Sequence, residues 1–376
     1  MRIGVVTFWW TDDNYGQLLQ AYGLQMVLRE MGHEPFIIKY DRRSDVDHSL
    51  KARIHILKDI LLLRCSIKKI INRKNEFAEN DLRNFSMFRD RYLNFSKLYT
   101  TYEELKTDPP LADVYIVGSD QVWHFPSKSF YKLKNWANVY FLNFGSESIK
   151  RMSYAASFSL NDISTDFCKF ITPLLKRFSL VTVRETSGIP ICEKCLVKSP
   201  LLALDPTLLL TTNQWKSLAL DISYPSNMLL CYLLGNQCAI SFDEIYNFSL
   251  KYDWNIKYIA SQGQKATYDA ITPSIEEFLS LVSSAKFVIT NSFHGTVFSI
   301  IFNVSFLVIP LCGEFQSMND RIFTLLKIFR LEDRIYSTTE DFYNQLQMNI
   351  NWESVNSILS ERRKEMLDLL NSHINI

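Results

Sequence analysis

Lys286-Phe287-Val288-Ile289-Thr290-Asn291-Ser292-Phe293-His294-Gly295-Thr296 reads as a buried strand that turns directly into a helix. Lys286 to Ile289 is an apolar run of strand length, and Val297-Phe298-Ser299-Ile300-Ile301-Phe302 continues as a buried helix. Such a junction points backbone N–H groups and the positive end of the helix dipole at whatever lies above the sheet edge. Ser292 and Thr296 add hydroxyl donors, Asn291 belongs to the same set, and Gly295 lets a ligand approach the backbone. His294 is then a titratable group held at an anion site, which suits phosphate chemistry. The plainer alternative is a capping or core histidine with no chemical role.

Working outward, the same alternation fills the chain. Met228 to Leu234 reads as a strand, Phe242 to Tyr252 as a helix, and Ile256 to Ala260 as a strand. Ser274 to Ala285 is a helix opened by a capping box, Ser274 with Glu277. Phe306 to Ile309 and a helix over Asp320 to Leu331 follow the His294 junction. An earlier set begins with the strand Arg2 to Phe8, the turn Asn14-Tyr15-Gly16, an apolar helix over Gln17 to Met31 with Gly32 as its C-cap, and the strand Pro35 to Tyr40. This is a Rossmann-type opening without the GxGxxG fingerprint. Later strands are Ala112 to Val117, Arg151 to Ala156, Ser179 to Val183 and Leu201 to Leu204, with a helix over about 162–178.

Two β/α sets predict an α/β protein with two Rossmann-like domains facing a cleft. The expected division is 1–220, 221–345 and a C-terminal segment 346–376. In that segment Val355, Ile358, Leu359, Met366 and Leu370 form an amphipathic helical stripe able to pack back on the first domain. A chain of 376 residues exceeds the usual size of one core, so two domains are the default.

Composition narrows the classes. Hydrophobic content of 47% with 22% charged residues is ordinary for a soluble globular protein. A net charge of +1 argues against a surface built for nucleic acid. No run is long enough to span a bilayer and no signal peptide opens the chain, so cytoplasmic residence is expected. The 7 Cys look like reduced thiols, and Cys192-Glu193-Lys194-Cys195 is a lone CxxC, so no metal site is expected. A basic helical insertion of about 45–108 is expected to interrupt the first domain. Within it Lys51 to Lys74 carries eight basic residues against Asp59, interleaved with Ile and Leu. That pattern suits docking on an anionic membrane surface, although a solvated face on a packed helix is the more ordinary explanation.

Two further strand ends carry polar groups. Gly118-Ser119-Asp120-Gln121-Val122-Trp123 offers groups that bind hydroxyls or move protons, and Trp123 offers a face for sugar stacking. Val183-Arg184-Glu185 supplies a planar guanidinium for carboxylate or phosphate. Asp205-Pro206 reads most simply as a rigid turn.

Taken together, these motifs resemble the polysaccharide pyruvyl transferases. The resemblance rests on Asn14-Tyr15-Gly16, Gly118 to Trp123, Val183-Arg184-Glu185 with Ser187, Asp205-Pro206-Thr207, and Thr290 to Gly295, in the family's order over most of the chain. It implies a GT-B-like fold and transfer of a pyruvyl group from phosphoenolpyruvate, a co-substrate rather than a cofactor, to a sugar as a cyclic ketal. It further implies an acceptor side in the first domain, with Asn14, Gly16, Ser119, Gln121 and Trp123, and a donor side in the second. Arg184 and His294 match the family's donor positions. Ser292, Asn291, Gly295 and Thr296 join the donor set, and His294 and Asp120 are the expected catalytic pair. Some members have an Arg where this chain has Ser292, so Arg321 and Lys265 are candidates to bind the donor phosphate instead. A polyprenyl-diphosphate-linked acceptor at the inner membrane face would fit. The competing expectations are a GT-B glycosyltransferase using a nucleotide sugar, and a non-catalytic carbohydrate- or membrane-binding protein.

Overall fold

A computed structural model describes residues 1–45, 81–126, 130–235, 240–259 and 270–375. The basic segment Lys51 to Lys74 and Lys265 lie outside these residues. The first sheet is parallel throughout, with β1 (Arg2–Val6), β2 (Glu34–Tyr40), β3 (Phe95–Tyr99), β4 (Val114–Val117), β5 (Lys150–Ser153) and β6 (Phe178–Leu180) in the order β3-β2-β1-β4-β5-β6. A short pair, β7 (Thr182–Val183) and β8 (Leu201–Leu202), continues beside it through a bridge from Ala156 to Val183. The second sheet runs β10-β9-β11-β12, again all parallel, from β9 (Met228–Tyr232), β10 (Asn255–Ile259), β11 (Phe287–Thr290) and β12 (Ser305–Val308).

The central strands β4, β9 and β11 are buried along their whole length, as continuous apolar runs in parallel sheets require. Strand order reverses between β1 and β4 in one sheet and between β9 and β11 in the other. Ligands of open α/β folds bind outside the carboxyl ends of strands at such switch points. Both lead toward the same place.

Helix α1 (Tyr15–Glu30) follows β1, and every residue of the helix Phe293–Phe302 that follows β11 is buried. A helix this rich in Phe, Val and Ile and buried on every side belongs in a core. One hydrophobic cluster therefore spans both sheets, from Ile3 and Leu24 through Trp215 to Phe298 and Ile374. Tyr15 marks the junction: its ring stacks on Phe278 at 4.5 Å and its hydroxyl donates to the Pro273 carbonyl at 2.7 Å. The Ser274–Glu277 capping box forms as the sequence predicts, with both reciprocal bonds present.

The C-terminal helix Trp352–Ile374 buries Val355, Leu359, Met366 and Leu370 and returns to the first half of the chain. Arg363 donates to the carbonyls of Leu208 and Leu210, and Lys150 Nζ donates to that of His373 at 2.9 Å.

The 45–108 insertion is not wholly helical. Its last part holds the helix Phe85–Tyr92 and the edge strand β3, which pairs with β2. Strand β3 is only partly buried and lacks a clean alternation, so no period-two signal announces it.

Candidate active site

Four loops at the carboxyl ends of the strands meet where the two sheets face each other. After β4 the chain places Ser119 and Asp120; after β7, Arg184 and Glu185; after β8, Asp205; after β11, Ser292 and His294. Neighbouring residues leave a strand toward opposite sides, and Arg184 and Glu185 obey that rule. The Glu185 carboxylate turns to Ser157, Phe158 and Ser159, accepting from the Phe158 amide at 2.7 Å, and burial raises its pKa against the pull of Arg184. Arg184 turns the other way, into the site.

Asp205 is the hub. Its Oδ2 accepts from Arg184 at 2.8 Å and from the Ser119 hydroxyl at 2.8 Å, while its Oδ1 accepts from the Thr207 hydroxyl at 2.7 Å. Burial opposes its ionisation, but His294, Arg184 and Thr207 outweigh that and hold the carboxyl well below the usual carboxylate range. Reading Asp205-Pro206 as a turn alone was incomplete. Pro206 does open a short 3-10 turn, yet the carboxylate also anchors the site. The clue available in the sequence was its position, a strand-end carboxylate like the other motif residues.

Arg184 reaches Asp120 as well, at 3.4 Å, and its guanidinium lies 4.4 Å from the Phe293 ring centroid. It is thus engaged with two carboxylates, while the Asp120 Oδ2 atom is buried without a partner among the described residues.

His294 is 5% exposed, and its Nε2 lies 3.6 Å from Asp205 Oδ1, beyond hydrogen-bond reach, with no other partner among the described residues. The ring rests on α1 at Gly16, where an added Cβ would sit 1.9 Å from His294 Nδ1. Gly16 therefore belongs to the His294 site.

Arg321 approaches from the helix Asp320–Phe329. It is 8% exposed, donates Nε to the Met318 carbonyl, and both terminal nitrogens reach the Gln121 side-chain oxygen, at 2.7 and 3.0 Å, once that amide is oriented to accept. Burial first, then the neighbouring Arg184, lowers its pKa to about 10. Among the described residues no carboxylate lies within ion-pair distance of it. A buried guanidinium in that state favours an incoming anion.

Several expected ligand contacts are corrected by packing. Trp123 is 0% exposed, stacks on Phe141 at 5.0 Å and donates Nε1 to the Tyr140 carbonyl, so no face remains for a sugar. Gly295 does not open space for a ligand, because an added Cβ would meet Thr290 Oγ1 at 2.4 Å. The Thr296 hydroxyl donates to the Ser292 carbonyl, and the Ser292 hydroxyl caps its own helix at the Gly295 amide. Asn291 bridges to the backbone of Leu234 through both amide atoms, at 2.6 and 2.9 Å. Asn14 stands at the start of α1, its amide bonded to the Thr11 hydroxyl.

The sequence matches the polysaccharide pyruvyl transferase family over residues 14–312. The chain belongs to that family. No curated protein matches it. Among solved structures it is similar to a UDP-N-acetylglucosamine 2-epimerase from Rickettsia bellii, at 10% identity and a TM-score of 0.53 over 100% of this chain and 97% of that one. It is also similar to the Methanocaldococcus jannaschii UDP-GlcNAc 2-epimerase, at 11% identity and a TM-score of 0.50 over 96% of this chain and 99% of that one. At such identities the likeness concerns the fold, and it agrees with the GT-B-like pair of Rossmann-like sheets. No helix among the described residues is long and apolar enough to cross a membrane.

Proposed function

We propose that this polysaccharide pyruvyl transferase family member takes its pyruvyl group from phosphoenolpyruvate and joins it to two hydroxyls of one sugar as a cyclic ketal. One hydroxyl adds to C2 while C3 gains a proton. The second hydroxyl then displaces phosphate from C2 through an oxocarbenium-like state. One hydroxyl proton ends on the new methyl group and the other on the phosphate released.

The observation that carries this reading is His294 Nε2, buried at a cluster of charges yet without a hydrogen-bond partner among the described residues. A histidine so placed moves a proton, a role worth about 10²–10⁴-fold in rate. Asp205 Oδ1 lies 3.6 Å from Nε2, and Asp120 is the second candidate for proton transfer. Arg321 suits the donor's phosphate or carboxylate and stands in for the Arg absent at Ser292. Arg184, engaged with Asp205 and Asp120, holds those carboxylates in place and reaches the donor only by exchanging one of them.

The test is incubation with phosphoenolpyruvate and a panel of saccharides, following phosphate release and product mass. A product heavier by one pyruvyl ketal is expected. The Methanocaldococcus jannaschii epimerase holds UDP-GlcNAc and UDP in a similar fold. Turnover of a nucleotide sugar with no response to phosphoenolpyruvate would therefore favour a glycosyltransferase. A lipid-linked acceptor at the inner membrane face extends the proposal, supported by the basic segment Lys51 to Lys74. Vesicle binding that weakens with salt is the expected sign.

A further inference from the structure

The polar cluster around Asp205 is not the whole of the open space at this edge of the first sheet. A cavity of about 230 Å³ lies beside it, above the carboxyl ends of β1 and β2. Its walls include Phe8, Trp9, Trp10 and Tyr140, with Asp12, Asp13, Asp41, Arg42 and Arg43 at the polar positions. Neither His294, Asp205, Arg184 nor Arg321 lines it.

Two routes join it to the cluster. Gln17 lines the cavity and follows Gly16, the residue against the His294 ring. Thr7 lines it too and donates to the Ser119 carbonyl at 3.1 Å, and the Ser119 hydroxyl binds Asp205. A ligand in the cavity thus lies next to the proposed transfer site.

The lining selects the ligand. The volume is below the roughly 300–1,000 Å³ of drug-sized ligand sites, which suits a single ring better than a nucleotide sugar. Arg42 lies 3.9 Å from the Phe8 ring centroid and Arg43 lies 3.6 Å from that of Trp10. These stacks make flat walls that present N–H donors at their edges. Arg43 is paired with Asp41 at 2.8 Å, and the lining holds more carboxylates than guanidiniums. Phosphate is disfavoured there. Aromatic walls with carboxylate acceptors and guanidinium donors fit the hydroxyls of an uncharged sugar.

We infer that this cavity is the acceptor subsite and holds one neutral pyranose ring, the one that receives the ketal; the assignment of acceptor rests on the function proposed above. The test uses saturation-transfer NMR on the intact protein. Methyl glycosides of glucose, mannose, galactose and N-acetylglucosamine serve as probes, with glucuronate and glucose 1-phosphate as charged controls. At least one neutral glycoside should bind to wild type and bind at least tenfold more weakly to Trp10→Ala. The rise in melting temperature given by phosphoenolpyruvate should persist in that variant. If Trp10→Ala does not fold, Asp13→Asn carries the same comparison. Unchanged glycoside binding in the variant, preference for the charged sugars, or no binding by any neutral probe overturns the inference. Trp10-dependent glycoside binding with no response of wild type to phosphoenolpyruvate leaves a saccharide subsite standing and removes the proposed donor.

Discussion

The Asp205 cluster and the cavity beside Trp10 share one sheet edge but are built on opposite terms. In the cluster, charges are buried and hold one another: Arg184 is bonded to Asp205, which is bonded to Ser119. In the cavity, the paired charges Arg43 and Asp41 keep part of their surface in solvent, with side chains 28% and 16% exposed. Removing one member of a buried charge network leaves its partner uncompensated in a low dielectric, whereas loss from a wetter surface is tolerated. The contrast therefore predicts where the molecule is fragile and where it is adaptable. The proposed chemistry sits on the fragile side.

Asp205→Asn should break the comparison most visibly. It removes the negative charge opposite Arg184, at a cost of about 3–5 kcal/mol, the range for breaking a buried pair. The effect also has a pH signature. The Asp205 carboxyl titrates below the roughly 3.9 of a free aspartate, so its stabilisation is fully present above that pH. It is lost as pH falls through the depressed folded-state value. Chemical denaturation across acidic pH should show a flatter acid limb in the variant. Equal stability in both proteins would mean that Asp120 alone suffices for Arg184.

His294→Ala should come next, with about 10²–10⁴-fold lower turnover in the phosphate-release assay. His294 is not at a surface helix start, as a loop histidine would be; it is buried on Gly16, so truncation also leaves a void. Since Nε2 has no partner to lose among the described residues, melting temperature should fall less than in Asp205→Asn. A variant that unfolds yet keeps full activity per folded molecule would return His294 to a packing role.

What the sequence made visible follows the same divide. The strands β1, β2, β9 and β11 and the capped helix before β11 announce themselves through apolar runs and the Ser274–Glu277 pair, which are local signals. His294, Asp120 and Arg184 stand out because titratable groups at strand ends are chemically conspicuous. Trp123 misled because its fate depends on Phe141 and the Tyr140 carbonyl, contacts that no local pattern encodes. The cavity was equally hidden, since Trp10 and Arg43 meet only once β1 and β2 pair. Arg321 was legible as a candidate cation, but its burial beside Gln121 was not.

Gly16→Ala should sharpen the comparison by disturbing only the position of His294. A methyl group 1.9 Å from Nδ1 cannot coexist with the ring as placed, so the imidazole must move. A shift of about 1 Å at a reacting group can cost about 10²-fold. Turnover should fall by that order, and the double variant with His294→Ala should lose little beyond His294→Ala itself. Additive losses would show that Gly16 acts independently of the histidine, through the backbone of α1.

The smallest effect is expected at Ser292, and it separates helix building from ligand binding at one residue. The Ser292 hydroxyl accepts from the Gly295 amide as the N-cap of the helix Phe293–Phe302. Replacing it with Ala removes that bond, a loss of typically about 1 kcal/mol of stability. The capped amide stays near the positive helix end, so the local preference for an anion is retained. Ser292→Ala should thus lower the melting temperature slightly and leave the KM for phosphoenolpyruvate within about twofold, under 0.5 kcal/mol at 1.4 kcal/mol per tenfold. A tenfold rise in that KM with unchanged stability would show the reverse, a hydroxyl that binds the donor directly.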